Sequence, residues 1–221
     1  MAILNRMAAK PARAVLECCA FLIAASATDR APADPPTVAI ASEQGEPSIA
    51  AWIAAGSNLE GSRALLDAGR DPLRPDRDGD TAVHAAAMAR DPAYLELLLA
   101  RGLSPNVRNA RSQRTPIMSA MLADRDRQFA MLIAAGADLA LADAMGNTPL
   151  HVAAQINQPH YVLALLRAGG PPAALNAQGQ TFQRYLFMAP GHLLTEENWR
   201  SRRAVADWLR RSGIVLEVPT P

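Results

Sequence analysis

Apolar side chains recur along this chain in short bursts that stop at glycines. Four bursts end alike: Leu65-Leu66 before Gly69, Leu98-Leu99 before Gly102, Leu132-Ile133 before Gly136 and Leu165-Leu166 before Gly169. Between them run alanine-rich bursts that open on a hydroxyl residue, Ser48, Thr81, Thr115, Thr148 or Thr181. The hydroxyl predicts an N-cap, because its oxygen can accept from the free N–H groups of an opening turn. Pro116 and Pro149 follow two of the caps where a first-turn proline is tolerated, and Pro92 and Pro159 fit the first turn of the second helix of their units. The glycine suits a left-handed C-terminal cap. The pattern therefore predicts helix-turn-helix pairs, each started and stopped by local signals.

The pairs are periodic. Thr81, Thr115, Thr148 and Thr181 are spaced by 34, 33 and 33 residues, and Ser48 precedes Thr81 by 33. The glycine track, Gly69 to Gly169, steps by 33, 34 and 33. Two independent tracks with one period identify a repeat. The strongest echo is Gly79-Asp80-Thr81-Ala82-Val83-His84 against Gly146-Asn147-Thr148-Pro149-Leu150-His151.

This opening, the double leucine and the closing Gly136-Ala137-Asp138 resemble ankyrin repeats over residues 45–216. The resemblance implies an all-α ankyrin-repeat solenoid of about five helix-turn-helix units, 45–75, 76–109, 110–142, 143–175 and 176–216, with a tail at 217–221. Short β-hairpin-like fingers would join the units, and a concave face would recognise another protein. A unit of this kind cannot bury its own apolar face, so its neighbours are obligatory. The family's opening histidine stands at His84 and His151 but is replaced by Ala51, Met118 and Arg184. Ser57, Arg90, Asp124 and Asn157 occupy the place of the usual inter-helix glycine.

The last unit is about 11 residues longer than the one before it, an insertion within 182–194 that includes Pro190 and Gly191 and is expected to be a loop. An amphipathic helix follows from about Thr195. Glu196 and Glu197 at its start and Arg210 and Arg211 at its end complement the helix dipole. We expect a C-terminal cap, with Trp199, Val205, Trp208 and Leu209 covering the last repeat face and Ile214 to Val218 lying across it.

Composition adds an address. Half of the 221 residues are apolar and only 5% aromatic, which favours helices packed closely through small side chains. Arg6, Lys10 and Arg13 precede an uncharged run from Cys18 to Ala27, apolar but for Ser26, which ends in the small-x-small pattern Ala25-Ser26-Ala27. This reads as a signal peptide over 1–27, cleaved after Ala27, with a proline-bearing linker over 28–44. The run is too short for a permanent span. The expected location is periplasmic or secreted, and a bacterial source fits the arginine- and alanine-heavy composition. The alternative is a cytosolic adaptor or a host-directed effector with an uncleaved N-terminus. Loss of the leader would remove both cysteines and leave 19 basic against 20 acidic side chains. A near-neutral body lacks the positive field of a nucleic-acid binder.

Candidate chemistry is sparse. His84, His151, His160 and His192 show no zinc-site spacing, and there is no phosphate loop, nucleophile elbow or dinucleotide fingerprint. Asp76-Arg77-Asp78-Gly79-Asp80 resembles a calcium loop only superficially, since the distal glutamate is missing, and a finger turn is expected. We expect no enzyme activity, cofactor or metal, and a chain that is monomeric when free. The resemblance places partner contacts on finger tips, Arg77, Asp78, Asp80, Arg111, Ser112, Arg114, Met145, Asn147, Gln178 and Gln180. It adds positions late in the first helices: Met88, Leu122, Gln155, Ile156 and Met188. The arginines around the first two fingers are either a solvated rim or a basic lip for an acidic partner. As a class, exported ankyrin proteins resemble immunity proteins that neutralise a secreted toxin, often a phospholipase, and others tied to envelope stress.

Overall fold

The computed structural model describes residues 47–188 and 195–217. The expected leader, the linker and the Pro190-Gly191 loop lie outside the described residues. Ten helices are formed among the described residues, in pairs: α1 Ile49–Ala54 and α2 Leu59–Asp67; α3 Ala82–Met88 and α4 Ala93–Ala100; α5 Pro116–Leu122 and α6 Asp126–Ala134; α7 Pro149–Gln155 and α8 Pro159–Arg167; α9 Phe182–Leu186 and α10 Glu196–Arg211. None is long and apolar enough to cross a membrane.

Local signals start and stop these helices much as the pattern predicts. Ser48 Oγ accepts from the Ala51 N–H at 3.2 Å, Thr181 Oγ1 from Gln183 and Thr195 Oγ1 from Asn198, both at 3.2 Å. Gly69, Gly102, Gly136 and Gly169 close the second helices at φ between +78° and +92°, where a side chain would be strained. Thr115 departs from the expectation. The Met118 N–H bonds the Thr115 carbonyl, and the Thr115 hydroxyl is buried without a partner. The inter-helix turn also differs in the first unit. There Gly56, not Ser57, takes the left-handed conformation, because α1 is one residue shorter than α5 and α7. Asp124 and Asn157 adopt positive φ without being glycine.

The first helices α1, α3, α5, α7 and α9 stack in a row, and the first four are each backed by their second helix. Ala50, Val83, Ile117 and Leu150 hold the same register position in four units and are at most 1% exposed. Between them Ala82, Ala86, Ala87, Ala120 and Ala153 are fully buried, so backbones approach closely. Val205 and Leu209 of α10 are fully buried, and α10 packs on α8. Trp199 was expected to help cover the last face; it stays 36% exposed, with the Arg203 guanidinium 5.8 Å from its ring. The segment after α10 instead ties down α9. The Gln183 amide donates to the Val215 carbonyl and the Thr181 hydroxyl to the Glu217 carboxylate at 2.7 Å, so Glu217, read as tail, is bonded to the last unit.

Candidate functional site: finger tips and the exposed row of the first helices

Each finger is a tight turn built on one short polar side chain. Asp76, Asn109, Asp143 and Asn176 each accept, through a single side-chain oxygen, two backbone N–H groups of their own turn at 2.8–3.1 Å. In the first finger this uses the carboxylate that opens the calcium-like sequence, so that stretch is a turn. The two asparagines do more, because an amide also donates. Asn109 Nδ2 reaches the Asp80 carboxylate at 2.5 Å, and Asn176 Nδ2 reaches Asn147 Oδ1 at 3.2 Å and the Tyr185 hydroxyl at 2.8 Å. Backbone bonds complete the row, Ala110 N–H to the Gly79 carbonyl, Ala144 to Ser112 and Ala177 to Met145. Neighbouring fingers are thereby held side by side.

Two buried histidines fasten the fingers to the first helices. His84 Nε2 lies 2.9 Å from the Arg114 carbonyl, and His151 Nε2 lies 2.9 Å from the Gln180 carbonyl. A carbonyl cannot donate, so Nε2 carries the proton and Nδ1 is a bare acceptor. Nδ1 accepts from the hydroxyl of Thr81 or Thr148, at 3.0 and 2.9 Å, and faces the N–H of the same residue. Burial lowers the pKa of both rings; the backbone bond and neighbouring aspartates oppose it only in part. Neutral imidazole is the working form. Met118 stands in the third unit where these rings stand, so nothing meets the Thr115 hydroxyl there.

The last residue of the first helix, or the position equivalent to it, forms a row across the stack: Ala55, Met88, Leu122, Gln155 and Met188. Leu122 is 44% exposed and Met188 61%, and at the third finger tip Met145 is 54% exposed. Between α1 and α3 the row opens into a groove of about 500 Å³, lined by Ile53, Ala54, Ala55, Ala85, Met88 and Tyr94 among others. Four of its lining residues, Ala54, Ala55, Ala85 and Ala89, are alanines, whose short side chains leave the space unfilled. The Tyr94 hydroxyl donates to the Ser57 carbonyl, which fixes one wall.

Comparison with known proteins decides the family. A model of ankyrin repeats, three copies, matches residues 40–143, and a single ankyrin repeat matches 145–180. The chain belongs to the ankyrin-repeat family. Protein PhlB of Serratia liquefaciens is 44% identical over 121 residues, covering 55% of this chain and 53% of PhlB. The NF-kappa-B inhibitor alpha of Gallus gallus is 37% identical over 107 residues, 41% of this chain and 33% of that protein. The E3 ubiquitin-protein ligase KEG of Arabidopsis thaliana is 29% identical over 142 residues, 60% of this chain and 9% of the ligase. The chain thus spans about half the length of PhlB and less of the other two. Ankyrin repeats are protein-binding modules, and that general role holds for this chain.

Within the ankyrin frame, most of the expected contact residues reach the surface. Arg77, Asp78, Arg111, Arg114, Met145, Gln155, Gln178, Leu122 and Met188 are exposed; Asp80, Met88, Ser112, Ile156 and Gln180 are half-buried. Asn147 is the exception. It is 7% exposed, its side chain bonded to Asp143, Gln155 and Asn176, so it positions the fingers and does not face a partner. Of the seven arginines around the first two fingers, namely Arg70, Arg74, Arg77, Arg101, Arg108, Arg111 and Arg114, three serve the fold: Arg70, Arg101 and Arg108 bond the Pro47 carbonyl, Asp67 and the Ala142 carbonyl. Sequence reasoning missed two features. The polar ladder Asp76, Asn109, Asp143, Asn176 steps by 33, 34 and 33 and was a third readable track. The α1–α3 groove has no such signature.

Proposed function

We propose that this protein is a non-enzymatic binding module of the bacterial periplasm that uses the concave face of its repeats to hold and neutralise a secreted protein toxin. The observation that carries the binding face is the exposure of Leu122 and Met188 in the row that ends the first helices, with Met145 exposed at the third finger tip; Leu73, Leu175, Trp199 and Val215 are exposed outside that row. Exposed methionines and leucines in a row are costly to leave in water and are typical of contact surfaces. The compartment is supported by the basic head, apolar run and small-residue site that end at Ala27. The inhibitory role is an analogy from fold, supported by a relative whose name makes it an inhibitor of another protein.

Protein produced from its own leader should accumulate in periplasmic extract with an intact mass that begins at Thr28. The same material should retain a partner that Leu122→Glu/Met145→Glu loses, while circular dichroism and melting temperature stay near wild type. A full-length cytoplasmic product would refute the compartment. A folded double variant that holds its partner at undiminished affinity would refute the face.

A further inference from the structure

We propose that the first two fingers and the α1–α3 groove together take one kind of occupant, an acidic protein segment that also carries a bulky apolar side chain. This rests on the binding reading above and adds the chemistry of the partner. Arg77, Arg111 and Arg114 are exposed, and none makes an ion pair or side-chain hydrogen bond among the described residues. Around these fingers six arginines, Arg70, Arg74, Arg77, Arg108, Arg111 and Arg114, outnumber four aspartates, Asp71, Asp76, Asp78 and Asp80. Asp76 Oδ1 accepts two backbone N–H groups and Asp80 Oδ1 accepts the Asn109 amide, so one oxygen of each is tied to the fingers, while the exposed Asp78 carboxylate makes no bond among the described residues. What the fingers offer a partner is therefore mostly guanidinium donors, and their natural complement is a carboxylate held bidentately.

The groove supplies the second half. At about 500 Å³ it has room for a leucine, phenylalanine or tryptophan side chain, and its walls are alanine, isoleucine, methionine and tyrosine. Arg90 and Asp91 at its mouth offset each other in charge. The first finger and the groove lie at opposite ends of α3. Seven helical residues span about 10 Å, so an extended segment needs at least roughly three residues between its carboxylate and its apolar anchor. Inorganic phosphate would satisfy the arginines but has nothing to place in the groove, which favours a protein segment over a free anion.

A displayed library of random 12-residue peptides, selected on the leader-free protein, tests this. Selected peptides should be rich in Asp and Glu, with a large apolar residue three or more positions away. By fluorescence anisotropy their affinity should fall about tenfold or more for Arg111→Glu/Arg114→Glu, the scale of one lost charge-assisted bond. It should fall with added salt, and fall again for Ala55→Phe, which fills the groove. Peptides with Lys in place of Asp and Glu should prefer the charge-reversed variant. Arg111→Gln/Arg114→Gln provides the same reading should charge reversal disturb folding. Selection without acidic enrichment, equal binding to the variants, an empty selection, or preference for phosphatidylglycerol vesicles over peptides would each overturn the proposal. Capture of a folded partner by the Leu122–Met145 face would stand apart from all four results.

Discussion

Thr115 and Thr148 open equivalent helices in adjacent repeats, and the same substitution should move stability in opposite directions at the two. The Thr148 hydroxyl meets His151 Nδ1 at 2.9 Å, inside a closed set of bonds that ends on the Gln180 carbonyl. Thr148→Val removes that bond and leaves Nδ1 with only the backbone N–H, a loss of about 1–2 kcal/mol for a buried cap. The Thr115 hydroxyl has no partner and is buried in a residue 1% exposed. Thr115→Val replaces it with a methyl of nearly the same shape and relieves a desolvation cost of about 1–3 kcal/mol. Both residues are extended and precede a proline, so backbone effects of the β-branched replacement cancel in the comparison. Urea titration followed by circular dichroism should show Thr115→Val at or above wild type and Thr148→Val below it. For a chain of this size each kcal/mol shifts the melting temperature by roughly 2–4 °C. Two shifts of the same sign and similar size would refute the claim that the third repeat carries an orphaned hydroxyl.

Leu150→Ala should cost about 2–5 kcal/mol, since this side chain is 1% exposed at the contact between stacked first helices; a loss under about 0.5 kcal/mol by the same titration would mean the register is wrong. Asp124→Gly should raise stability by about 0.5–1 kcal/mol, because Asp124 sits at φ +57° where glycine bears no Cβ penalty; an unchanged or lower denaturation midpoint would contradict this. The buried histidines predict a one-sided pH response. Their folded pKa values lie below the ordinary 6.5, so the unfolded chain binds protons first and stability is complete above that pH. It should be lost progressively as pH falls from 6.5 through the lowered folded values, and His151→Gln should flatten the slope measured by urea midpoints across that range.

The repeat architecture was legible because its signals are local. A cap acts over three residues, a first-turn proline over one and a closing glycine over the last turn, so spacing alone exposed the period, the helix pairs and the buried leucines. The same logic located the expected row Met88, Leu122 and Met188 from its register. What the tertiary structure decided depends on side chains about 30 residues away in the next unit. Arg114 and Asn147 end successive fingers, yet Arg114 is exposed while Asn147 is buried, because Asn176 and Gln155 close over the latter. Thr115 loses its partner only because Met118 fills the place of a ring. The groove between α1 and α3 exists because alanines from two units face one another and leave a volume that none of them fills. Burial and empty space are properties of neighbouring units packed together, and no period within one unit encodes them.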